Sequence, residues 1–87
     1  MAVYGGDLAQ LEDLAGRFRQ EAAAVEALEA RITASLQSTA WTGPAAHRFR
    51  EQWAGEFIPA LRRLCDAMAE NATAVTRRRQ AIESATS

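Results

Sequence analysis

Ser38-Thr39-Ala40-Trp41-Thr42-Gly43-Pro44 is the stretch that decides the fold. Turn residues, ending on Gly-Pro, interrupt two long stretches dominated by Ala, Leu, Glu, Gln and Arg, all strong helix formers. Proline suits the first turn of a following helix, where its missing N–H costs nothing, so Thr42 or Gly43 is the expected cap. Upstream, Asp7 follows Gly5-Gly6 as a plausible N-cap, and large side chains recur at Leu8, Leu11, Leu14, Phe18, Val25, Leu28, Ile32 and Leu36. Steps of three, four and seven put them along one side of a helix over about 7–38, roughly 45 Å long at 1.5 Å per residue. Downstream, the pattern resumes as Phe49, Trp53, Phe57, Ile58, Leu61, Leu64, Cys65, Met68, Val75 and Ile82, which predicts a second helix over about 45–82.

The two helices mirror each other about the turn. Tyr4, Leu11, Phe18, Val25 and Ile32 are spaced by seven, as are Ala54, Leu61, Met68, Val75 and Ile82. Pairing first with last gives a constant sum of 86, centred on Gly43. Equal rise per residue makes a constant sum the requirement for an antiparallel hairpin folded there, with Leu11, Phe18, Val25, Ile32, Leu61, Met68 and Val75 forming its seam. Two separated helices or one continuous rod are the alternatives. Leu8, Leu14, Leu28 and Leu36 on the first helix, with Phe49, Trp53, Phe57, Ile58 and Leu64 on the second, widen the apolar stripe beyond what one partner helix covers. Aromatic side chains bury about 150–250 Å² each, so leaving three in water exceeds the apolar patch a monomer ordinarily carries. The expected fold class is therefore all-α: an antiparallel helix-turn-helix hairpin that dimerises into a four-helix bundle, with these nine residues at the dimer interface.

Composition agrees with the need for a partner. Of 87 residues, 48% are hydrophobic, but 20 of those are alanine, which leaves few side chains able to fill a core. Chains this short commonly depend on disulfides, metals or partners. One cysteine, Cys65, and one histidine, His47, permit neither an internal disulfide nor a zinc site within one chain, so no cofactor is expected. The net charge of −1 lacks the basic excess of a nucleic-acid binder. Residues 1–40 carry six acids against three arginines and residues 41–87 five against seven, opposite signs that suit two helices packed together. Met1–Asp7 have neither a basic n-region nor an apolar h-region, and apolar runs stop at four residues, so neither a Sec-type leader nor a membrane span is expected.

Local exceptions stand out. Pro59 falls inside the second helix and removes the bond to the Gly55 carbonyl, predicting a kink between Gly55 and Pro59, or else a break with a third helix starting at Ala60. Gly16 has no evident purpose. Asn71 and Arg78 continue the row of Phe57 and Leu64, so the stripe thins toward the end, and residues 83–87 are expected to form a flexible tail.

Enzymatic chemistry is not expected. Cys65 and His47 lie 18 residues apart on one helix, about 27 Å along its axis, whereas a working thiol and base sit near 3 Å. Cys65 reads as a small buried hydrophobe and His47 with Glu51 as a solvated i, i+4 pair. Arg77-Arg78-Arg79 fan over about 200° of helix, and a favourable interaction with the C-terminal dipole explains them more simply than a nucleic-acid patch.

A hairpin of nearly one hundred residues with Trp41-Thr42-Gly43 at its turn, Phe49 and Trp53 downstream and no leader resembles the WXG family of type VII (ESX) secretion substrates, the early secreted antigenic target group. The resemblance covers the whole chain and makes Trp41 and Gly43 the signature positions. It implies synthesis in the cytoplasm and export without a cleaved leader, in folded form, by a membrane-embedded secretion ATPase, to the cell surface or the medium. It also implies a homodimer, or a heterodimer with a sister WXG protein, acting as effector or escort and not as an enzyme. An intracellular helical adaptor for a larger toxin of the WXG/LXG type is the alternative. One departure is clear: the tyrosine-based signal that many members carry after the second helix is missing, since Tyr4 is the sole tyrosine. Membrane activity is neither indicated nor excluded.

Overall fold

The computed structural model describes residues 6–86 as two long helical arms lying antiparallel, with principal extents of 65 × 17 × 15 Å. The first arm is α1, Leu8–Ser38; the second is α2, Pro44–Gln52, a π-helical turn at Trp53–Phe57, and α3, Ile58–Thr86. The all-α antiparallel hairpin expected from the sequence is the fold observed. α1 starts where Asp7 caps it, its carboxylate accepting the Gln10 N–H at 3.0 Å. It stops where the Thr39 hydroxyl donates to the Ser35 carbonyl at 2.6 Å and the backbone turns extended.

The second arm contains the irregularity that Pro59 demands. The Ile58 N–H donates to the Trp53 carbonyl, five residues back, so the wide turn ends immediately before the residue that lacks a donor. Gln52, Trp53 and Ile58 all keep right-handed helical dihedrals, so the arm neither breaks nor restarts at Ala60. The widened turn accommodates one extra residue and rotates everything before it relative to α3.

That rotation sets the seam. On α1 the half-buried or buried positions run Leu8, Leu11, Ala15, Phe18, Ala22, Val25, Glu29, Thr33 and Leu36. On the second arm the main row runs Ala46, Arg50 and Trp53, then after a step of five Ile58, Leu61, Cys65, Met68, Ala72, Val75, Arg79 and Ile82, with Pro59 and Thr76 half-buried beside it. Apart from the step of five and two successive steps of four at Val25, Glu29 and Thr33, the steps alternate between three and four, as in a coiled-coil seam. The regular seven-residue row departs from the structure at the turn end. Ala54 is exposed and Trp53 takes its place, while Ile32 is 38% exposed and Thr33 meets Trp53, whose indole N–H donates to the Thr33 hydroxyl at 3.0 Å. On the second arm the extra residue of the π turn is the reason; on α1 it is two successive steps of four, Val25 to Glu29 to Thr33. The pairing of Tyr4 with Ile82 lies outside the described residues.

The seam closes on small side chains. Ala15, Ala46 and Ala72 are almost fully buried, and Ile82 is the one large apolar side chain among the described residues classed as buried. At the open end Gly6 lies over Ile82: a methyl group added there would meet Leu11 at 3.1 Å and Ile82 at 3.3 Å. With Ile82 anchored and Arg79 paired to Glu83 at 3.0 Å, α3 continues to Thr86, past the expected end at Ile82 and through most of the expected tail.

Candidate protein-interaction site

Seam residues in pairs three apart leave two flanks: positions just before the first member of each pair, and positions just after the second. In an antiparallel hairpin the like flanks of the two helices lie side by side, because a rotation of half a turn about an axis perpendicular to both exchanges the helices and carries each flank onto its like. The later flank is polar. Arg19 donates to the Thr76 hydroxyl at 3.3 Å, Arg62 to Glu29 at 3.2 Å, and Arg79 sits 3.7 Å from Glu12.

The earlier flank is apolar toward the turn and mixed toward the open end, where Glu21, Asn71 and Arg78 share it. It carries Leu14 and Leu28 on α1 and Phe49, Phe57 and Leu64 on the second arm, exposed by 38–44%. Ile32, one turn beyond Leu28, adds to it. Phe57 continues into Trp53 at a ring separation of 6.1 Å, and Phe49 into Trp41 at 5.9 Å. Of the nine residues assigned to a dimer interface, Leu14, Leu28, Phe49, Phe57 and Leu64 lie on this flank. Leu8, Leu36, Trp53 and Ile58 are half-buried in the seam, since a seam takes two rows per heptad and a single row of sevens supplies only one. Leu11, Phe18, Val25, Leu61, Met68 and Val75 lie in the seam, each half-buried, so even these remain partly open to solvent. Total accessible surface is 6458 Å², against about 5,000 Å² for a compact monomer of this mass.

The turn terminates this flank. Gly43 has φ 106° and ψ 176°, a region essentially reserved for glycine, and its carbonyl accepts the His47 N–H at 3.0 Å to start α2 behind Pro44. Trp41 is 40% exposed and packs beside Phe49, while its own N–H donates to the Thr39 carbonyl at 2.9 Å. Arg50 reaches back from α2. Its guanidinium donates to the carbonyls of Trp41 at 2.7 Å, Leu36 at 3.1 Å and Thr39 at 3.2 Å, and lies 5.9 Å from the centre of the Trp41 ring. Reading large apolar residues missed Arg50 and the buried alanines; the alternating spacing of Ala15 and Ala72 within the two rows was the available signal.

The remaining candidates are surface or seam features. Cys65 is half-buried, its Sγ 3.4 Å from the Ala22 carbonyl; burial pushes the thiol pKa up, helped by Glu26, Asp66 and Glu29, which makes it a poor nucleophile. His47 and Glu51 form an exposed i, i+4 pair at 3.0 Å. Arg77 and Arg78 are exposed, whereas Arg79 is tied to Glu12 and Glu83, so the arginine triplet is divided between solvent and seam. Among the described residues no three metal-binding side chains cluster, and no helix is long and apolar enough to cross a membrane.

Residues 6–86 match the family model described as proteins of 100 residues with WXG, here Trp41-Thr42-Gly43. No curated protein and no solved structure matches the chain.

Proposed function

Because this chain belongs to the WXG100 family, small helical proteins of the ESX-secreted kind, we propose that it is a type VII secretion substrate working as a dimeric, non-enzymatic protein-interaction module. The observation that supports this reading is the one-sided apolar flank. Leu14, Leu28, Phe49, Phe57 and Leu64 are partly exposed along one side of a hairpin whose other side carries exposed ion pairs and a hydrogen bond. Covering that flank with the like flank of a second hairpin, its own copy or a sister WXG protein, completes a four-helix bundle and shields seam side chains that one hairpin leaves half open.

Export then carries the folded bundle through the secretion ATPase machinery to the cell surface or the medium. Native mass and sedimentation at micromolar concentration test the dimer, first with the protein alone and then co-expressed with a neighbouring WXG reading frame. A monomer in both settings rejects it. Deleting the secretion ATPase tests export, and undiminished protein in the culture supernatant rejects that half.

A further inference from the structure

The last carbonyls of α1 have no donors of their own helix ahead of them, and the chain must reverse within five residues, Thr39 to Gly43. The Thr39 and Ser38 hydroxyls serve the Ser35 carbonyl and the Trp41 N–H serves that of Thr39, while three carbonyls around the reversal, those of Leu36, Thr39 and Trp41, take side-chain donors. One side chain serves all three. Arg50 projects from α2, and its planar fork of donors spans carbonyls that belong to the helix end, the cap and the turn. The same group lies 5.9 Å from the Trp41 ring centre, and Phe49, its neighbour in sequence, packs 5.9 Å from that ring. Trp41 is thereby held through its backbone carbonyl, by the cation near its indole and by the neighbouring aromatic ring, although 40% of its surface stays exposed.

We infer that Arg50 is the positioning residue of the Trp-x-Gly turn, presenting Trp41 in one orientation as the end of the apolar docking flank. The inference rests on the reading of that flank as the surface that receives a second hairpin. The energetic logic is pre-organisation. A partner meeting a Trp41 that is correctly placed only a fraction of the time binds more weakly by that fraction. Lysine cannot substitute, because a single ammonium on a flexible stem does not span three carbonyls in the fixed geometry of a guanidinium.

The test compares Arg50→Ala and Arg50→Lys with the wild type by the two indole N–H resonances of 15N-labelled protein. The expected result in both variants is a shifted Trp41 signal with a reduced heteronuclear NOE. Trp53 and the far-UV ellipticity stay as in the wild type, and self-association measured by sedimentation weakens by about a hundredfold, about tenfold for each of the two hairpins if its Trp41 is placed one-tenth of the time. A Trp41 resonance in Arg50→Ala that coincides with the wild type overturns the inference. So does a Lys variant that restores the wild-type signal, and so does a parallel loss of both indole signals and of helicity, which would make Arg50 a support of the whole hairpin. Wild-type protein that remains monomeric would fail the dimer reading separately, and the indole comparison would still decide the role of Arg50.

Discussion

The two flanks of one seam are built from the same pair of helices and differ in nearly everything else. The polar flank places Arg19 beside Thr76, Arg62 beside Glu29 and Arg79 beside Glu12, so its contacts are satisfied within the chain. The apolar flank places Leu14, Leu28, Phe49, Phe57 and Leu64 where no residue of the same hairpin covers them well. A seam between two helices closes only a strip, and what flanks the strip decides whether the hairpin is finished. Polar flanks finish it with modest surface pairs; apolar flanks leave free energy to be gained from another molecule.

The sharpest way to break this contrast is a charge on each flank in turn. Leu64→Asp or Phe57→Asp is expected to weaken dimerisation at least 30-fold, corresponding to about 2 kcal/mol or more for a central apolar anchor, with monomer mass appearing in native spectra. Arg19→Asp, on the opposite flank, should leave the dimer mass unchanged, and equal losses from both would erase the distinction. Next in size is the turn that ends the apolar flank. Gly43→Ala forces a β-carbon into φ 106°, ψ 176°, and should cost about 1–3 kcal/mol in chemical denaturation.

Within the seam the effects are of similar or smaller size. Ala72→Leu overfills a site with no exposed surface and is expected to destabilise by about 1–3 kcal/mol, read as a lower denaturant midpoint. Thr33→Val keeps the side-chain shape but deletes the acceptor for the Trp53 indole N–H, a loss of about 1 kcal/mol. Smallest is the polar flank itself. Arg62→Ala removes an ion pair whose arginine is 72% exposed, and should shift stability by under about 1 kcal/mol, vanishing in high salt. A larger loss there would mean that the polar flank also holds the hairpin together.

Much of the fold is legible in the residues because its determinants are local or periodic. Asp7 caps a helix by its own side chain, Gly43-Pro44 ends one arm and starts another, and the mirrored rows of seven announce an antiparallel seam. Pro59 announces its disturbance too, since an absent N–H cannot be supplied by any context. What the residues do not announce is how the backbone absorbs it. A kink, a break and a widened turn all satisfy Pro59, and only the widened turn moves Trp53 into the seam and Ala54 out of it. Arg50 escaped sequence reading for a different reason: nothing in an Arg-x-Arg stretch of a helix says that one guanidinium will meet three carbonyls from the other side of a turn.

Spacing and turn chemistry, which act over a few residues, were therefore enough to determine two helices, their reversal at Gly43 and the presence of an apolar surplus. The assignment of each side chain to seam, polar flank or apolar flank was decided only in three dimensions. It depends on the rotation of one helix about its axis, and a single extra residue at Trp53–Phe57 changes that rotation for everything between it and the turn.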